Sequence, residues 1–424
     1  MTGRRVHRGR VLVAVTLACA GLCGCTGGRD EPVSITVSPG TALIDQPVRV
    51  SIRGLPARAV TTVTAAAEDA AGVTWSASAD FRASKGGTLS LDQAPTGGAY
   101  TGANPMGLFL FMKPGDPDAA DLSTPAGSYG VTLRARVDGK TVATAVATRQ
   151  MPLAAGVTVS ELRVPADGVY GRMFRPKDTS ERQPALLVFG GSEGGLAPPV
   201  MLKAALLAAH GYPALALAYW KAPGLAQELR RIPLEYFRKA LTVLRAQPGV
   251  DPSHVLVTGV SWGGEGSLLV AATYPDLVHG VIAETPNSYL DAAPARGGDG
   301  SSWTLHGKEL PFAERRLFGA PAADVDPRAY IQLDRIRGPI MLACGGLDLV
   351  WPACRNLDDI VARLPGRDDL TVLRYPQAGH YVGAIQPYIP VTDALLTETG
   401  GDLAAVQAAN LDVHTKLLAL LARQ

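Results

Sequence analysis

From Gln183 onward, short runs of consecutive apolar residues alternate with stretches of helical periodicity, and this alternation constrains the fold more than any other feature of the chain. A strand that is apolar at every position has no face to turn to water. It must be covered on both sides, as in a parallel sheet whose crossover connections are helices. Strands are expected at Pro184 to Phe189, Ala214 to Tyr219, Val255 to Gly259, Val278 to Ala283, Ile340 to Cys344 and Thr371 to Tyr375. Between and after them, helices are expected over Met201 to His210, Leu234 to Gln247, Gly263 to Thr273 and Leu403 to Leu421. Pro233 suits the start of the second helix, and Leu234, Phe237, Leu241 and Leu244 share one of its faces. Residues 288–337 interrupt the rhythm with Gly, Asp and Trp303, so an insertion lying over the strand ends as a lid or substrate wall is expected there.

Residues 33–155 have a different texture, with brief alternating runs broken by Gly, Pro and Asp. The runs are Val33 to Val37, Val48 to Ile52, Val60 to Ala67, Tyr129 to Val137 and Thr141 to Thr148. Period-two alternation at this spacing predicts an all-β sandwich, expected to serve as a packing or positioning module. The remaining residues, 156–424, would form the second domain.

The N-terminus sets the expected address. Arg4, Arg5, Arg8 and Arg10 precede an apolar stretch, Val11 to about Leu22, too short to span a membrane comfortably, which is the form of an export signal. It ends in Leu22-Cys23-Gly24-Cys25, which resembles the lipobox of bacterial lipoproteins and makes Cys25 the expected lipidated first residue, followed by a linker over 26–32. An ordinary secretory signal cut near the same point is the alternative. On either reading the mature chain is exported, and with several acyl chains on Cys25 it would be anchored to the outer face of a bacterial cell membrane. Cys344 and Cys354, the cysteines left beyond Cys25, could pair in such a compartment or remain as two buried thiols. Forty Lys plus Arg against 38 Asp plus Glu give a formal charge of +2 with no long run of one sign, so nothing points to nucleic acid.

Gly259-Val260-Ser261-Trp262-Gly263 directly follows an apolar strand and opens a helix. A serine on such a strained turn projects its hydroxyl above the sheet, while Gly259 and Gly263 leave room for strand and helix to approach. The context favours a nucleophile over a tight turn carrying an incidental serine. The helix N-terminus then favours developing negative charge at the hydroxyl. Serine needs a base, usually histidine held by a carboxylate, and this fold orders the three Ser, acid, His. Of the downstream histidines, His414 sits in the closing amphipathic helix and is expected to be solvated. His279 has no strand-end acid before it, and His306 falls in the insertion. His380 follows the last short strand and occupies the expected loop. Asp348 follows Ile340 to Cys344 through Gly345-Gly346, at the carboxyl end of a strand where α/β sites form, whereas Asp358 and Asp359 lie within a helix and read as surface residues. The loop Gly190-Gly191-Ser192-Glu193-Gly194-Gly195 is placed to supply a second oxyanion donor, the Ser192 amide or a neighbour, beside that of Trp262. It lacks the Lys-Ser/Thr ending of a nucleotide-binding loop. The fold expected is an α/β-hydrolase fold, a mostly parallel sheet with helices on both faces, and no metal or organic cofactor is implied.

Taken together, these motifs resemble the acyl-CoA thioesterase and bile acid-CoA:amino acid N-acyltransferase family over nearly all of the mature length. In the first half, Ala42 to Val48, Arg53-Gly54-Leu55-Pro56 and Asn104 to Leu108 resemble that family's immunoglobulin-like domain. In the second, Leu215 to Tyr219, Pro233 to Phe237, Gly259-Val260-Ser261, Gly346 to Trp351, Gly379-His380 and Pro387-Tyr388-Ile389-Pro390 recur in the family's order. The resemblance implies Ser261, Asp348 and His380 as a triad acting on an acyl thioester or ester. It also implies a choice between hydrolysis, usual for serine nucleophiles, and transfer to an amine or alcohol, often served by cysteine. A catalytically silent surface lipoprotein acting as a binding module is a third reading. Trp262 departs from the Arg or Lys common after the nucleophile, and with it goes a cation that could meet CoA phosphates.

Overall fold

The computed structural model describes residues 32–119, 122–124, 127–178, 180–294, 300–314 and 325–424. The expected leader, Cys25 and the expected linker up to residue 31 lie outside the described residues. Among those described, no helix is long and apolar enough to cross a membrane.

The first half builds two β-sheets. Ser34–Ser38, Arg49–Arg53 and Leu89–Ser90 pair antiparallel in the smaller one. The larger runs in the order Thr41–Leu43, Lys140–Gln150, Ser128–Val137, Val60–Glu68, Thr74–Arg82, Gly97–Gly98. Alternate residues of Val60–Glu68 are buried, Thr61, Val63, Ala65 and Ala67, as a sheet with one wet face requires. Thr74–Arg82 was not among the expected strands. Its inward row is Trp75, Ala77, Ala79 and Phe81, and two alanines among serines give little hydropathic contrast.

The second half is an eight-stranded sheet in the order Thr158–Leu162, Tyr170–Arg175, Ala214–Ala218, Gln183–Phe189, Val250–Val260, Gly280–Glu284, Ile340–Gly345, Leu370–Tyr375. From Ala214–Ala218 onward neighbours are parallel, and adjacent residues of one strand enter opposite cores. Leu187 and Phe189 pack with the helix Leu234–Arg245, while Leu186 and Val188 pack with Pro198–Ala209 and Leu403–Leu421. The first two strands are antiparallel and escaped the sequence reading, because edge strands with a solvated face, here Thr-Val-Ser-Glu-Leu and Tyr-Gly-Arg-Met-Phe-Arg, carry polar residues that break an apolar run.

Two expectations are corrected. The described part of 288–337 does not wall the cleft that holds Ser261. Its strand Trp303–Leu305 pairs with Ile232–Pro233, and Trp303 is buried against Tyr219 and Phe237. Such an aromatic anchor fixes the segment to the body of the sheet. His414 is not solvated: it is buried on the closing helix, with Nε2 3.0 Å from Asp45 Oδ2 of the sandwich. His210 Nε2 lies 2.6 Å from the same oxygen. Around this polar knot Leu206, Tyr388 and Ile389 sit in one apolar cluster with Ile44, Val48 and Phe109, so the sandwich and the α/β half share a core.

Candidate active site

The strand Val250–Val260 delivers Ser261 onto a turn with φ 61° and ψ −125°, a region L-residues rarely enter, and the helix Trp262–Thr273 starts at the next residue. The turn closes only because its flanks are glycines. A Cβ on Gly259 would stand 2.5 Å from the Gly263 carbonyl oxygen, and one on Gly263 2.5 Å from that of Gly190. The Ser261 amide donates to the carbonyl of Glu284 on the neighbouring strand at 3.0 Å, which fixes the elbow to the sheet.

Asp348 and His380 come from the loops after the last two strands of the sheet, Ile340–Gly345 and Leu370–Tyr375. His380 Nδ1 lies 2.8 Å from Asp348 Oδ2, and both side chains are almost fully buried. Asp348 Oδ1 accepts the amides of Val350 at 2.8 Å and Trp351 at 3.2 Å. A carboxylate facing Nδ1 favours the tautomer with its hydrogen on Nδ1 and its acceptor lone pair on Nε2. Ser261 and His380 line one cleft of about 740 Å³, without a direct hydrogen bond between them.

The glycine loop forms the adjoining wall. The Tyr219 hydroxyl lies 3.1 Å from the Gly190 carbonyl oxygen and 3.3 Å from that of Gly191, and Trp220 Nε1 donates to Gly191 O at 3.1 Å. In a trans peptide the N–H points opposite its C=O. Holding the Gly191 carbonyl therefore turns the Ser192 amide the other way. The Gly191 amide is engaged, since it donates to Glu193 Oε2 at 2.9 Å. Loss of water around the Glu193 carboxyl raises its pKa, against the pull of backbone hydrogen bonds, His380 and Lys221.

The rest of the wall was not foreseen. Val200, Leu202, Ile385, Ile389, Val391 and Leu395 make it apolar, and Leu122–Thr124 of the sandwich complete it. Lys203 stands at its base, paired with the fully buried Glu284. The signal was present in the sequence: a lysine inside an Ala/Leu helix, and a glutamate closing an apolar strand. Cys344 and Cys354 form a disulfide, with Cα atoms 5.1 Å apart, that brackets the Asp348 loop. Trp262, the residue after Ser261, is buried against Trp351, so that position supplies no cation.

Residues 45–164 match the family model for the acyl-CoA thioester hydrolase/BAAT N-terminal region, and residues 232–423 match that for the BAAT/acyl-CoA thioester hydrolase C terminus. This chain belongs to that family. Mitochondrial acyl-coenzyme A thioesterase 2 of Mus musculus is 30% identical, over 94% of this chain and 92% of its own length. Acyl-coenzyme A thioesterase 6 of the same species is also 30% identical, over 91% and 95%. The bile acid-CoA:amino acid N-acyltransferase of Mus musculus is 27% identical, over 85% of this chain and 88% of its own. This family member thus aligns across both halves of the molecule, the sandwich included.

Proposed function

We propose that this protein hydrolyses an acyl thioester or ester through a covalent acyl-enzyme on Ser261. The observation that carries the reading is the buried Asp348–His380 hydrogen bond opening onto the cleft where Ser261 sits on its strained turn. His380 Nε2 takes the Ser261 proton as Oγ attacks the acyl carbonyl, and Asp348 stays ionised, holding the tautomer and stabilising the imidazolium. Negative charge on the carbonyl oxygen is met by the amides of Trp262, at the helix N-terminus, and Ser192. The thiolate or alkoxide departs with the proton from His380, and a water deprotonated by the same ring releases the acid. A Ser–His contact open in the free enzyme and closed by substrate is ordinary for such sites. The apolar cleft suits an acyl chain, and the 30% identity to acyl-coenzyme A thioesterases supports thioesters among the substrates.

In Ser261→Ala, turnover of a thioester panel and labelling by a fluorophosphonate are expected to vanish; retained labelling elsewhere with full activity would sink the assignment. We further propose that the protein works outside the cytoplasm, tethered through Cys25, a reading supported by the Cys344–Cys354 disulfide, since such bonds persist in oxidising compartments. Intact mass of the protein taken from its own cell envelope tests this. An unprocessed, unacylated N-terminus would refute it.

A further inference from the structure

The ion pair at the base of the cleft takes no part in the proton relay, yet it is attached to both ends of it. The Lys203 ammonium donates to Glu284 Oε1 at 2.6 Å, to Glu284 Oε2, and to the Gly383 carbonyl at 3.3 Å. The main-chain carbonyl of Glu284 receives the Ser261 amide at 3.0 Å. Gly383 lies on the loop that carries His380, and it turns with φ 84° around the carboxylate. A Cβ there would stand 2.3 Å from Glu284 Cδ. Lys203 also faces the cleft, but its three N–H groups are committed to Glu284 and Gly383, which argues against its serving as a ligand for substrate.

We propose that Lys203 and Glu284 are positioning residues that hold Ser261 and the His380 loop at their working separation, an inference that rests on the serine hydrolase reading above. A carboxylate with no exposure is tolerated because its counter-charge is in contact. Without Lys203 it must gain a proton or draw other groups toward it. The atoms nearest to hand are its own backbone, which fixes the nucleophile, and Gly383, which belongs to the loop of the base. Among the described residues, two titratable side chains face Glu284. Lys203 reaches it from the helix Pro198–Ala209, and Tyr375 from the end of Leu370–Tyr375; the latter's phenol is kept neutral by burial and by its bond to Asp412. Burial pushes the Glu284 pKa up, and Lys203 works against that rise.

The test compares kcat and the rate of fluorophosphonate labelling at Ser261 between about pH 6 and about pH 9, each expressed as a ratio to wild type. In Lys203→Met both should fall by roughly tenfold to a hundredfold at the alkaline end. The deficit should narrow as the pH is lowered, because a protonated Glu284 needs no partner. Glu284→Gln, which keeps the side-chain volume but removes the carboxylate, should lower kcat and labelling with KM little changed. The double variant Lys203→Met/Glu284→Gln should lose the slope of Lys203→Met, again with KM little changed. A ratio flat with pH in Lys203→Met, or a double variant that keeps its slope, would overturn the proposal. If Lys203→Met does not fold by circular dichroism, Glu284→Gln decides: a fall in kcat and labelling with KM unchanged supports the proposal, and wild-type kcat and labelling overturn it. Failure of wild type to label at Ser261 would bring down the hydrolase reading and this inference together. A labelled wild type with variants parallel to it would bring down only the inference.

Discussion

Ser261 stands on a turn that costs conformational energy. Its φ of 61° and ψ of −125° lie where a Cβ is crowded, a cost of about 1–3 kcal/mol that surrounding structure must offset. Glycine would bear no such cost. Ser261→Gly is therefore expected to be inactive yet more stable than wild type by about 1 kcal/mol or more, whereas Ser261→Ala should be inactive without that gain. Urea melts of the three proteins check this, and equal stabilities for the Gly and Ala variants would show that the turn carries no strain. Gly263 does a complementary job, since its missing side chain lets the Gly190 carbonyl approach and brings the glycine loop close to Ser261.

At the scale of elements, each member of the proposed triad follows the carboxyl end of a parallel strand, and order along the sheet matches order along the chain. Val250–Val260 delivers Ser261, Ile340–Gly345 leads to Asp348, and Leu370–Tyr375 leads to His380. The loop of Asp348 leaves Leu347 and Leu349 exposed on either side of it. The Cys344–Cys354 bond closes that loop by tying the strand end to the helix Ala353–Ala362. For so short a loop the chain-entropy contribution is roughly 2–3 kcal/mol. Replacing both cysteines by alanine should lower unfolding free energy by about that amount and reduce kcat more than it raises KM. A double variant with wild-type stability and turnover would mean the bond does neither.

At the scale of the whole molecule, the sandwich is part of the enzyme's body. It lends Leu122–Thr124 to the cleft and closes a polar knot with the α/β half at Asp45, His210 and His414. Burial alone would raise the Asp45 pKa, but the hydrogen bonds and charges of the two histidines outweigh it and hold the carboxyl well below its usual range. A depressed carboxylate stabilises the fold above its unfolded pKa, and that stability drains away as the pH falls. Asp45→Asn should therefore cost about 3 kcal/mol near neutrality, since it leaves buried partners unpaired. The gap from wild type should narrow below about pH 4, where the unfolded chain takes up the proton first. A gap constant from neutrality to strong acid would show that Asp45 is not ionised in the knot.

Much of this was legible in the primary sequence because it depends on short-range pattern. Consecutive apolar residues can only be doubly covered strands, a glycine-flanked serine between strand and helix can only make a sharp turn, and the order Ser261, Asp348, His380 follows from which strand ends come next. The edge strands Thr158–Leu162 and Tyr170–Arg175 were hidden, since a half-wet strand looks like a polar loop. Tertiary packing alone decided what walls the cleft, bringing Leu122–Thr124 and the segment after His380 to it and fastening the described part of 288–337 elsewhere through Trp303. It also decided that His414 is buried and that Lys203 meets Glu284, 81 positions away. Such partnerships follow from which surfaces meet when two halves share a core, and a charge on one helix carries no local mark of the charge it will neutralise.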